Sequence, residues 1–348
     1  MSETMTPRDR WLAIFAGRPT DRLPTDYWAT TEFHDKLKQT LGLTDDESVW
    51  QKLGIDRPCF VTTKWKRDHH PTDPQADQWG IRHRAIDYGT GSYNETSHHP
   101  LAAATSVREI HDFAWPNPDD FEISPIPATA DYRIVVGGHY EPFLLYCAMR
   151  GMELAFEDLL LEPEIAAAAL GHIFDFCYEL NRRIWESGNG KIDIMYLAED
   201  LGAQTGPLFS LAHYRQFILP NQQKMAALAK KFGVRVFYHT DGAAQSFLPD
   251  LVNVVGIDLL NPLQWRCPGM ERETLVRDYS RRLVFHGGID NQHTLPFGTP
   301  DEVRQEVRDC ARIFQSSRWI CAPCHNIQNV TPVANVLALY DAVHRLKP

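Results

Sequence analysis

Beyond about residue 133 the chain alternates two kinds of segment, and that alternation limits the possible folds more than any other feature. Short apolar runs bounded by Gly or Pro recur: Ile134-Val-Val, Ile192-Asp-Ile-Met-Tyr-Leu-Ala, Val234-Arg-Val-Phe-Tyr, Val254-Val-Gly-Ile-Asp-Leu-Leu, Leu283-Val-Phe and Trp319-Ile-Cys. Runs that are apolar on both faces and rich in β-branched residues read as buried parallel strands. The stretches between them carry helix signals. Thr299-Pro-Asp-Glu302 is a capping box with Pro at the first helical position. Behind it Val303, Val307, Cys310, Ala311 and Phe314 form one apolar stripe at helical spacing. Thr331-Pro332 opens a final helix in the same manner.

Repeated strand–helix units build either an open doubly wound sheet or a closed barrel. No G-x-G-x-x-G turn follows an early strand, which counts against a dinucleotide fold. A polar cluster instead follows the runs: Ala198-Glu-Asp, His239-Thr-Asp-Gly, Asn261-Pro-Leu-Gln, Gly287-Gly-Ile-Asp and Ala322-Pro-Cys-His-Asn. Strand ends loaded with His, Asp, Glu, Gln and Cys are where a (β/α)8 barrel keeps its active site. The predicted fold is therefore an α/β (β/α)8 TIM barrel, a single domain over residues 1–348. Residues 66–130 are rich in Asp, His, Pro, Gly and Thr, and are expected to be an irregular N-terminal insertion within it. The pairs His69-His70 and His98-His99 are read there as solvated loop histidines.

Charge and cysteine usage narrow the function classes. Thirty-five Lys and Arg against forty-five Asp and Glu leave a net charge of −10, so no concentrated basic face for nucleic acid or an anionic membrane is expected. No stretch nears the roughly 18 apolar residues of a membrane span. The first residues lack the apolar core of a secretory signal. Seven cysteines, an odd and mostly scattered set, fit reduced thiols better than a disulfide framework. A cytoplasmic protein is the expectation.

The chemistry concentrates in two motifs. His239-Thr-Asp241 puts two side chains on the same side of an extended backbone at a predicted barrel mouth. Cys321-Ala-Pro-Cys324-His325 permits several readings: a haem attachment motif, a redox pair, or a single thiolate at the mouth. The first needs export, and the second usually opens a helix, whereas this motif ends a strand. With Cys324 facing the mouth, His239, Asp241 and Cys324 make a three-ligand zinc site with an open fourth position. A plain hydrogen-bonded His239–Asp241 pair is the metal-free alternative.

The run from Glu199-Asp-Leu-Gly-Ala-Gln204 through Phe237-Tyr-His-Thr-Asp-Gly, Leu260-Asn-Pro-Leu-Gln264, Gly287-Gly-Ile-Asp290 and Ala322-Pro-Cys-His-Asn-Ile-Gln328 resembles the uroporphyrinogen decarboxylase superfamily. Asp77-Gln-Trp-Gly-Ile and Arg150-Gly-Met-Glu extend the likeness over most of the chain. The resemblance implies a (β/α)8 barrel from one of two branches, haem-pathway decarboxylases or zinc-dependent corrinoid and thiol methyltransferases. A decarboxylase acting on an octa-anionic tetrapyrrole needs converging arginines. The predicted strand ends hold no Lys or Arg, and Arg57, Arg82, Arg84 and Arg150 are the available candidates. The methyltransferase branch implies zinc on a His-x-Cys motif plus a distant Cys. His239 and Cys324 take those places, while Asp241 stands where that branch has Cys. A carboxylate ligand makes zinc more electrophilic, suiting an ether or amine leaving group.

The resulting expectation is a methyltransferase moving a methyl group between a small methylated donor (an aryl ether, amine or folate) and a corrinoid on a separate carrier protein. Zn²⁺ on His239, Asp241 and Cys324 would activate the leaving group. Glu199 or Asp200 is the expected general acid or extra ligand, since neighbours on a strand point opposite ways. Asp290 and His325 complete the expected catalytic set, with His325 also a candidate partner of a ligand. Gln204, Gln264, Asn326 and Tyr27 are the expected substrate-binding residues. The alternatives are a decarboxylase of the same superfamily and a barrel that binds a small ligand without turning it over.

Overall fold

The computed structural model describes residues 4–89 and 91–346. Seven parallel strands form one curled sheet: β1 (Cys59–Val61), β6 (Val135–Tyr140), β7 (Ile194–Ala198), β8 (Arg235–His239), β9 (Leu259–Asn261), β10 (Val284–Ile289) and β11 (Arg318–Pro323), neighbours in that order. The eighth position is taken by the segment around Thr25. Thr25 bridges Cys321 of β11 in parallel, and Ala29 bridges Ile327. On the other side, the Asp56 N–H donates to the Thr25 carbonyl at 3.0 Å, and the Thr25 N–H donates to the Asp56 carboxylate at 3.0 Å. Arg10 and Arg22 neutralise Asp56, which is fully buried. The α/β barrel expected from the strand–helix alternation is the observed architecture.

Period-two alternation sorts the strand residues into two cores. Ile134, Val136, Ile194, Phe237, Leu259, Val284 and Ile320 point inward and pack with Trp11 from the helix Pro7–Phe15. The second core lies between the sheet and the surrounding helices. Two residues beyond inward Phe237, Leu259 and Val284 come His239, Asn261 and His286. The same alternation that fills the barrel with apolar side chains thus lays a polar layer on top of them.

The helix signals were sound at the C-terminal end. Thr299 and Glu302 form the reciprocal capping box of the helix Pro300–Phe314, which buries Val303, Val307, Cys310 and Phe314. Val254 and Val255 differ from expectation: they close a helical turn, Leu251–Val255, and the strand is only Leu259–Asn261. Gly256, at φ +72°, ends that turn in the left-handed region, so apolar β-branched content misled where a terminating glycine decided.

The segment 66–130 is more ordered than its turn-rich composition indicates. It carries an antiparallel hairpin, β3 (Arg82–Asp87) with β4 (Ser92–His98), and a helix, Val107–Asp112. A second antiparallel pair, β2 (Thr63–Trp65) with β5 (Phe121–Ile123), closes its base. His70 is buried there, with its ring stacked on Phe113 and Nε2 facing the Ala114 carbonyl at 3.3 Å. No helix among the described residues is long and apolar enough to cross a membrane.

Candidate functional site

The C-terminal ends of β8 and β11 bring three side chains together. One ligand atom each from His239, Asp241 and His325 lies within 4.8 Å of the others, the one such group found among the described residues. His239 Nε2 is 3.7 Å from Asp241 Oδ1, and His325 Nε2 is 3.7 Å from Asp241 Oδ2. Asp241 Oδ1 is buried and has no hydrogen-bond partner. Burial raises the Asp241 carboxyl pKa, and Asp200 and Glu141 add to the shift, against the opposing pull of His239 and His325. A buried carboxylate oxygen without a donor costs free energy unless a cation or proton meets it. Two imidazoles and one carboxylate suit a borderline divalent ion such as zinc, so the residues present fit one.

His239 is held at its Nδ1 edge and across its ring face. It ends β8 opposite Asn261 in the parallel register, which brings its Nδ1 to 2.6 Å from Asn261 Oδ1. Asn261 Nδ2 reaches His286 Nδ1 at 2.8 Å, and His286 Nε2 reaches Asp26 Oδ2 at 3.1 Å. Trp28 stacks on the His239 ring, with centroids 5.7 Å apart and planes 15° apart, and its indole N–H donates to Asp26 Oδ2 at 2.8 Å.

The expected zinc ligand Cys324 lies outside the group. Its thiol donates to the Leu263 carbonyl at 3.0 Å, and burial pushes its pKa well above the ordinary thiol range. β11 stops at Pro323 and the chain bends at Cys324 and His325. The bend breaks strand parity, and it is His325 that faces Asp241.

The remaining expected residues divide by placement. Asp200 adjoins the group, accepting the Asp241 N–H at 3.1 Å. Its neighbour Glu199 is buried and accepts the Phe143 and Leu144 N–H groups at the start of the helix Pro142–Arg150. Burial pushes the Glu199 carboxyl well above the usual carboxylate range. Asp290 is engaged by the Gln292, His293 and Thr294 N–H groups and by Arg266. Burial alone would raise its pKa, but those donors hold it low. Tyr27 faces the core against Trp50 and Tyr340, and its neighbour Trp28 is the one that reaches the site.

Two cavities lie beside the metal-compatible group: one is lined by Asp241 and His325 themselves, the other by Trp28 and Tyr196, whose rings pack on His239. The larger, about 880 Å³, is mainly apolar, lined by Trp28, Phe60, Trp79, Phe121, Leu144 and Tyr196 among others, with Asn326, Arg57, Glu141 and His139 among its polar points. The smaller, about 440 Å³, is lined by Asp241, His325 and the carboxamides Gln204, Gln264, Asn291, Gln292 and Gln328. Asn291 Oδ1 is a second buried acceptor without a partner. Of the four arginines considered for a polycarboxylate, only Arg57 lines the larger cavity. Arg82 pairs with Asp73, Arg84 with Glu95, and Arg150 with buried Asp158.

Sequence reasoning missed Asp26, Trp28, Asn261 and His286 as parts of the site. The available signal was their position two residues from inward-facing apolar residues, or from one another, on three segments: the stretch around Thr25, β9 and β10.

Comparisons with known proteins agree with this architecture. No curated protein matches the chain. Among solved structures, a methyltransferase from Methanosarcina mazei is similar with a TM-score of 0.68 and 16% identity, over 97% of this chain and 98% of that one. A B12-independent methionine synthase from Shewanella sp. W3-18-1 matches with a TM-score of 0.42 and 9% identity, over 92% and 93%. At such identities the first likeness is one of fold, and it fits a barrel. The sequence pattern of the uroporphyrinogen decarboxylase (URO-D) family covers residues 129–346, the stretch that supplies β6 through β11 and every member of the His239, Asp241 and His325 group. The chain is a member of the uroporphyrinogen decarboxylase family.

Proposed function

We propose that this protein is a methyltransferase moving a methyl group between a small methylated donor and a corrinoid carried by a separate protein. The observation that carries the reading is the group His239, Asp241 and His325, with its unpartnered Asp241 oxygen, in a carboxamide-lined cavity and beside an apolar cavity lined by the Trp28 and Tyr196 rings that pack on His239. These three residues would hold zinc, with His325 replacing Cys324 as third ligand. Zinc bound there supplies Lewis-acid polarisation of the heteroatom that carries the methyl group.

The protein's own residues supply the rest. Trp28 and Tyr196 offer flat apolar surface for the donor beside the His239 ring. Gln204 and Gln264 offer neutral hydrogen-bonding groups that orient a polar portion without adding charge. Asp200 fixes the backbone at Asp241 and so sets where that carboxylate stands. A decarboxylase acting on a polycarboxylated tetrapyrrole is the weaker reading, because a single cavity arginine does not match several carboxylates.

The test is metal content by mass spectrometry on protein purified without chelators or a histidine tag, beside His325→Ala and Cys324→Ala. The expected result is about one zinc per chain, lost in His325→Ala and kept in Cys324→Ala. Methyl transfer from aryl ether, amine or folate donors to a reduced corrinoid is then assayed. Metal-free wild-type protein, or no transfer from any of the three donor classes, would overturn the reading.

A further inference from the structure

The polar layer above the barrel core forms one connected chain, and the donor or acceptor role of each atom follows from its end. Asp26 is 2% exposed, and its carboxylate accepts from four neighbours: the Tyr27 N–H, Trp28 Nε1, His286 Nε2 and Arg57. An ionised carboxylate only accepts, so His286 must carry its proton on Nε2. The Asn261 amide nitrogen, which only donates, faces His286 Nδ1 at 2.8 Å, so Nδ1 is the acceptor and carries no proton. That orients the Asn261 amide and leaves Oδ1 facing His239 Nδ1. A carbonyl oxygen requires a donor, so His239 carries its proton on Nδ1. Its Nε2, the atom directed at Asp241, is left with a free lone pair.

We propose that Asp26, acting through His286 and Asn261, is the positioning residue of this site: it fixes His239 in the tautomer whose Nε2 can bind a metal or take a proton. The same carboxylate acts by a second route, since it holds the Trp28 indole that stacks on the His239 ring. One group therefore fixes both the plane and the protonated edge of the imidazole. A histidine in water favours the opposite tautomer, with the proton on Nε2, so the chain imposes a state the side chain would not adopt alone. None of the three relay residues belongs to the metal-compatible group, and Asn261 touches it only at His239 Nδ1. Their burial (Asp26 2%, Asn261 1%, His286 0% exposed) keeps water from supplying a competing donor or acceptor. Second-neighbour partners of this kind change metal affinity about ten- to a hundredfold in other sites.

The proposal extends the zinc reading, but its first readout is independent of it. Nitrogen NMR of the imidazoles separates a protonated from an unprotonated ring nitrogen, and is recorded on the full-length chain as purified and after zinc addition. The expected result is a protonated Nδ1 on His239 in both samples. Asn261→Leu removes the acceptor and is expected to shift His239 toward the Nε2-protonated form. Asn261→Asp retains an acceptor and is expected to keep the wild-type tautomer. Zinc affinity should follow, about ten- to a hundredfold weaker in Asn261→Leu and restored toward wild type in Asn261→Asp. A wild-type His239 protonated on Nε2 overturns the proposal even if no variant folds, and so does an unchanged tautomer in Asn261→Leu. Failure of the wild-type chain to take up zinc, with Nδ1 protonated as expected, overturns the metal reading and leaves the relay standing.

Discussion

Asp26 shows how a single buried charge can be tolerated inside a barrel. Burial alone would raise its pKa, but the hydrogen bond from His286 and the nearby Arg57 charge outweigh it and hold the carboxyl below the ordinary carboxylate value. The sign of the stability effect follows. An acid whose folded pKa is depressed stabilises the fold above its unfolded pKa, near 4, and that contribution is lost as pH falls through the folded value. Asp26→Asn should therefore cost about 3 kcal/mol at neutral pH, because it leaves buried donors without an anion. The gap between wild type and variant should narrow as the pH is lowered below about 4. Urea midpoints measured across that range check both statements, and a constant gap would refute the assignment. At this scale the sequence was legible where side-chain parity held and illegible where it broke. His239 and Asp241 stand two apart, and both reached the site. Cys324 and His325 straddle the end of β11, and no pattern in residues says on which side of a bend a thiol will fall. Asp26, Asn261 and His286 are single polar residues on the Thr25 segment, β9 and β10, and only the pairing register makes them a chain.

At the scale of elements, the site depends on how closely two loops pass. A Cβ added at Gly242, which sits at φ +74°, would lie 2.3 Å from the Gly202 carbonyl oxygen. One added at Gly202 would lie 2.4 Å from the Ala243 nitrogen. The loop after β7 is thus laced onto the loop after β8, and the Ala243 N–H donates to the Ala203 carbonyl at 2.9 Å. Asp241 sits directly before this contact. Gly202→Ala must push backbone against backbone, so it should cost about 1–3 kcal/mol and lower zinc uptake by displacing Asp241. Denaturation together with metal content checks it; full zinc occupancy in a destabilised variant would separate the loop contact from the site. The helix Pro300–Phe314 supplies none of the three grouped side chains and serves as a control. Thr299→Ala removes one half of the capping box and should cost about 1 kcal/mol with no effect on zinc. That box was readable because capping is local, four residues fixing one another. The Gly202–Gly242 approach was not, because the two glycines are brought together only by the packing of β7 beside β8.

The whole molecule puts the carboxamide-lined cavity on Asp241 and His325 and the apolar cavity on the Trp28 and Tyr196 rings beside His239, and that asymmetry predicts how substitutions divide. Phe60 lines the large cavity and is 46% exposed, so its ring contributes more to a ligand surface than to the core. Phe60→Ala should leave zinc content unchanged and raise the KM of an aromatic methyl donor about fivefold, the equivalent of roughly 1 kcal/mol of lost ring contact. Gln204 lines the small cavity beside Asp241 and His325 and is linked there to Gln292. Gln204→Ala should spare the aromatic donor and weaken the partner that enters from the carboxamide side. Kinetics with donor and acceptor varied separately provide the check. If both substitutions move the same KM, the two cavities serve one substrate, and transfer between two partners across the His239 group loses its structural basis. If they divide as expected, the (β/α)8 frame that strand–helix alternation announced is more than a support. Its closure around Thr25 carries Asp26 and Trp28 to His239, and so builds the wall on which the larger cavity rests.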